Sequence, residues 1–107
     1  MTRADILDQA KKCVCGDREE DYGSPENNFE TIANLWNDYL QGIAADPKRL
    51  GISDESTIYI PYLDSVDVAM MMALLKIARV ASGRAKDDNF IDLAGYAACG
   101  GELMESN

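Results

Sequence analysis

Asp88, Asp92 and Tyr96 stand four residues apart, with Asn89 three before Asp92, so on a helix their side chains line one stripe. Magnesium takes a few oxygen ligands and keeps water. Two carboxylates one turn apart can therefore hold it with help from a neighbouring helix. Glu30, with Glu26 or Asn27 one turn before it, is the expected helper, and Gly95 on the stripe leaves room for another group. Lys76 and Arg79, three apart, are the cations of an otherwise apolar segment. Lysine point charges and arginine forks both suit phosphate oxygens, and Arg84 and Lys86 extend the patch. Tyr22, Trp36, Tyr39 and Tyr96 offer faces on which a base can stack, although core packing fits Trp36 and Tyr39 better.

Each of these residues also has a structural use. Asp87 and Asp88 suit the first turn of a helix, Asp92 can be solvated, and Asp64-x-x-Asp67 has capping spacing. Asp67 shares a face with Met71, Leu74 and Ala78, so burial there would require a cation or hydrogen-bond donors. Lys76 and Arg79 can pair with carboxylates of neighbouring helices, and Met70 to Met72 read as adaptable packing. The chain has no histidine, which removes Ser-His-Asp and Cys-His mechanisms and leaves Cys13 and Cys15 without the usual partners for zinc. No glycine-rich phosphate loop precedes a helix, so any catalysis is expected to be metal-based.

The elements that must position these groups are helices. Ile6, Ala10, Cys13 and Val14 predict an amphipathic helix from Arg3 to about Val14, ending at Gly16, followed by a charged loop from Asp17 to Gly23. Ser24-Pro25 is a helix start, and Phe29, Ile32, Ala33, Trp36, Tyr39, Leu40 and Ile43 give the helix to Ala44 a core face. Two prolines, Gly51 and the cluster Thr57-Ile58-Tyr59-Ile60 predict an irregular connection over 46–63, long enough to be a lid, a binding loop or a partner contact. Asp64 or Ser65 caps a helix to Ser82 that stops at Gly83, and its almost continuous apolar run reads as a helix surrounded by protein. The last helix begins near Asp87 or Asp88, is interrupted at Gly100-Gly101, and leaves 102–107 as a tail. Together these predict one all-α domain over 1–107, a small four-helix bundle-like fold with a long irregular loop before the third main helix.

Nineteen acidic against ten basic residues give a net charge of −9, the wrong sign for general binding to nucleic-acid backbone. Odd cysteines and no apolar leader after Met1 point to a reducing, cytoplasmic setting, and the longest apolar run is too short for a bilayer. So much apolar surface on few helices predicts a homo-oligomer.

The segments Asp21-Tyr22-Gly23, Asn28-Phe29-Glu30, Asp67-Val68-Ala69, Leu75-Lys76-Ile77-Ala78-Arg79 and Asp88 to Tyr96 resemble a family of small phage and prophage proteins, over about Arg18 to Ala98. More remotely they are similar to the MazG-like all-α nucleotide pyrophosphohydrolases. That resemblance implies magnesium on Glu30, Asp88 and Asp92, nucleotide phosphates on Lys76 and Arg79, and release of pyrophosphate from a nucleoside triphosphate. The residues add Asp67 to the candidate metal set and make Glu30 and Asp92 the candidate catalytic pair. Where those enzymes use acid-x-x-acid pairs, this chain has Asn27-x-x-Glu30 and Asn89-x-x-Asp92. A helical interaction module or nucleotide sensor is the competing expectation, and an acidic decoy for nucleic-acid-binding proteins a third.

Overall fold

A computed structural model describes residues 1–17, 25–51, 59–83 and 86–106. Helix α1 spans Arg3–Lys12 and is opened by Thr2. The Thr2 hydroxyl accepts from the Asp5 N–H at 3.1 Å and the Asp5 carboxylate accepts from the Thr2 N–H at 2.9 Å, a reciprocal cap that holds Asp5 below the usual carboxylate range. Beyond the predicted end the chain continues as one π-helical turn, Cys13–Asp17. The wider turn carries Val14 onto the core, close against Gly95.

Helix α2 spans Pro25–Ala44, beginning at the predicted proline; Ser24 and the charged stretch before it lie outside the described residues. Phe29 and Ala33 are buried, and Ile32 and Trp36 pack beside them. Tyr39, expected on the same core face, is exposed. The predicted irregular connection contains a short helix, α3 (Pro47–Leu50). Asp46-Pro47 repeats the start signal of α2: the Asp46 carboxylate accepts from the Lys48 N–H at 3.1 Å, and Gly51 at φ 66° ends the turn. Residues 52–58 lie outside the described residues.

Helix α4 (Ser65–Ala81) is capped by Asp64, and α5 runs from Asp87 to Ser106. The predicted break at Gly100-Gly101 does not occur. Cys99 and Leu103, four apart, are both buried in the main cluster with Phe29, Ala33, Val68 and Ala69, and that packing outweighs the weak helix propensity of two glycines. Gly100 is the point of closest approach: a Cβ there would lie 3.2 Å from the Ala69 Cβ and 2.9 Å from the Met70 Cε. Gly101 is exposed, and a Cβ there meets nothing within 4 Å. Gly101→Ala is therefore expected to stabilise the domain by up to about 1 kcal/mol, whereas Gly100→Leu overpacks the seam and costs about 1–3 kcal/mol; urea midpoints of the two variants decide it.

Among the described residues the structure is all helical. Helices α4 and α5 form an antiparallel hairpin, the most extensive contact in the molecule, with α2 packed on α4 and α1 on α5. Asn37 fastens α2 to the start of α4, its amide nitrogen donating to the Leu63 carbonyl and its oxygen accepting from the Leu63 N–H, both at 2.9 Å. Asn37→Ala would strand two partly buried backbone groups, so a loss of about 1–3 kcal/mol is expected in chemical unfolding.

Helix α4 is not surrounded: Val68, Ala69 and Ala73 are buried, but Met70, Met71, Leu74, Leu75 and Ile77 are exposed on the opposite side. Among the described residues, helices pack on only one side of α4, and the radius of gyration of 16.8 Å exceeds the about 13 Å of a compact chain of this length.

Candidate functional site

The hairpin places residues by register. Lys76 meets Asp92, and Ala69 meets Gly100, so seven residues down α4 correspond to eight up α5. Arg79 consequently lies near the level of Asn89, and Asp88 one residue further out, at the end where α4 turns into α5. Four of the six candidate residues, Lys76, Arg79, Asp88 and Asp92, thus gather at the turn end of the hairpin, beside Lys86 and Asp87. Asp88, Lys86 and Arg79 are exposed there, while Asn89 is buried.

At the inner edge of this group the Lys76 Nζ and Asp92 Oδ2 atoms are 3.0 Å apart, with only 13% and 11% of their side chains exposed. Two charges held so far from water stabilise one another through close contact, which offsets the cost of taking them out of water. The side chains that the sequence offered as phosphate ligand and metal ligand are here partners.

The other two candidates lie elsewhere. The Asp67 Oδ2 accepts from the Asp64 N–H and the Asp64 Oδ1 accepts from the Asp67 N–H, both at 2.9 Å, which is the capping reading of Asp64-x-x-Asp67. Nine residues along α4 put Asp67 about 14 Å from Lys76. Glu30 is exposed on α2. Because Asn37 is level with Leu63 and the helices run antiparallel, Glu30 falls near the level of Met70, about 9 Å along α4 from Lys76. The Phe29 ring beside it stacks at a tilt on Tyr96, centroids 6.3 Å apart.

Magnesium fits this arrangement in a restricted way. Among the described residues no group of three or more Cys, Asp and Glu side chains is placed to hold a metal ion. Asp88 and Asp92, one turn apart, make a set of two carboxylates, and magnesium characteristically binds through one or two carboxylates together with substrate phosphates and water. Tyr22 and Arg84 lie outside the described residues, and Trp36 packs against the core. Cys13, Cys15 and Cys99 are free thiols. No helix among the described residues is long and apolar enough to cross a membrane. A feature without a sequence signal is a shallow concavity on α2 and α3, lined by Asp38, Tyr39, Gly42, Ile43, Asp46 and Arg49, away from the hairpin turn.

Comparison with known proteins points to bacteriophages. The chain is 35% identical over 100 residues to the Gene 55 protein of Mycobacterium phage D29, covering 94% of this chain and 54% of the relative. It is 37% identical over 92 residues to the Gene 55 protein of Mycobacterium phage L5, covering 86% of this chain and 47% of the relative. The chain thus spans about half the length of the curated relatives it matches. No solved structure matches it. The model of the domain of unknown function DUF6378 matches residues 5–104, nearly the whole chain, and the protein belongs to that family.

Proposed function

We propose that the turn end of the α4–α5 hairpin binds the phosphates of a nucleotide together with magnesium, and that the reaction served is MazG-like release of pyrophosphate from a nucleoside triphosphate. The observation that supports this reading is the Lys76–Asp92 pair, charged and nearly closed off from water in the principal seam of a small domain. A buried ion pair is weak as a stabiliser beside apolar packing, so a pair kept in this seam suits a role in binding a charged ligand. Asp88 and Asp92 would hold magnesium, which would neutralise charge on a bound phosphate. Lys76, which contacts Asp92, and the exposed Arg79 one turn along α4 supply the cations for phosphate oxygens.

The test is a panel of natural and modified nucleoside triphosphates with Mg²⁺ or Mn²⁺, read by pyrophosphate release and by thermal shift. A triphosphate that raises Tm in wild type and not in Arg79→Ala supports the site; Arg79 is exposed, so its loss leaves the fold intact. Neither pyrophosphate release nor a shift with any member of the panel removes the reading.

A second reading, a helical interaction module, is favoured by a different observation, the uncovered apolar side of α4. It predicts the same fold with no response to nucleotides.

A further inference from the structure

The outer side of α4 is continuous. At 100° per residue, Ile77, Met70, Ala81, Leu74, Ala78, Met71 and Leu75 follow one another around nearly half the helix, and every one is exposed. Asp67 is the one charge within this face, near its start, and Arg79 stands at its edge near the end. A single chain exposes 7689 Å². A compact protein of 11.7 kDa is expected to expose about 5,900 Å². The uncovered apolar side of α4 is part of that excess of about 1,800 Å².

We propose that a second copy of this chain covers this face, the two α4 helices crossing antiparallel about a two-fold axis near Leu74. Leu74 lies close to midway between Asp67 and Arg79, so the two-fold brings the Asp64–Asp67 end of each copy to the Arg79 end of the other. Acidic residues then meet a cation, and helix ends of opposite dipole sign lie side by side. The face is self-complementary in charge as well as apolar at its centre, which is what an isologous contact requires. Arg79 enters the nucleotide reading as well, so the test of this contact is placed on Leu74, which that reading does not use.

Sedimentation velocity on the full chain, from low to high micromolar, tests it. Wild type is expected to run as a dimer with a Tm that rises with protein concentration. Leu74→Glu enters a symmetric interface twice, so it should raise the dimer Kd by roughly a hundredfold or more, while Leu35→Glu, on the outer side of α2, leaves it unchanged. Leu74 is 61% exposed in one copy, so a Leu74→Glu chain that loses its helicity also supports the dimer: the substitution costs a lone folded chain little. A folded wild type that sediments as a monomer throughout overturns the proposal. So does an oligomer indifferent to Leu74→Glu, which would place the contact on another face or with another partner.

Discussion

Asp92→Ala should cost the domain about 3–5 kcal/mol, toward the lower end because the pair keeps a little exposure, and the loss should appear as a fall in the urea midpoint at unchanged slope. The substitution removes the carboxylate 3.0 Å from the Lys76 Nζ and leaves an ammonium group in the α4–α5 seam with no carboxylate opposite it. Against a total stability of about 5–15 kcal/mol for a domain, that is a large share. Lys76→Ala removes the same ion pair and is expected to lower the midpoint in the same direction. The pair together is a different matter. Replacing both ends with apolar groups of similar size, Lys76→Met with Asp92→Leu, removes the desolvation cost along with the attraction, so the double variant should regain wild-type stability or exceed it by about 1–4 kcal/mol.

That double variant also separates fold from function. If the pair exists to fix the register of the hairpin, the double variant keeps the fold and any nucleotide-dependent rise in Tm persists. If Lys76 holds phosphate, the fold survives and the nucleotide response is lost. A nucleotide response equal to that of wild type would sink the phosphate role of Lys76 whatever the stability of the single variants.

The sequence carried most of the helices because their signals are local. Asp64 three residues before Asp67, Pro25 after a serine and Gly83 after an apolar run are each read from a few neighbouring residues, and each is where the helix begins or stops. The errors came where distant residues decide. Gly100-Gly101 looks like a break until Ala69 is seen to need the space above Gly100 and Leu103 the shelter of Phe29 and Val68. Tyr39 has core spacing, yet it lines the open concavity on α2 and α3 and not the core. For the candidate site, spacing gave the stripe on α5 and the Lys76–Arg79 pair on α4, but spacing within one helix says nothing of the register between two. That register joins Lys76 to Asp92, gathers Arg79 and Asp88 nearby, and leaves Glu30 and Asp67 at other levels of the bundle.

Phe29→Ala is expected to cost about 3–5 kcal/mol and to act on α2 before the hairpin. The ring is buried at the junction of three helices, in a cluster with Val68 and Ala69 of α4 and Cys99 and Leu103 of α5, and it leans on Tyr96. Helix α2 touches α5 little elsewhere, so Phe29 is its main anchor to the hairpin, with Ala33 beside it and Asn37 holding the far side to Leu63. The adjoining atoms belong to Val68, which is wholly buried, and to helix backbones that pack closely at Gly100, so the cavity cannot collapse fully. Native-state hydrogen exchange is the sharper measurement. In Phe29→Ala the amides of α2 should lose protection first, while those of α4 and α5 keep protection near the new, lower global stability. Equal loss in all three helices would mean that α2 does not detach as a unit, and unchanged stability would mean that the ring is not what holds it.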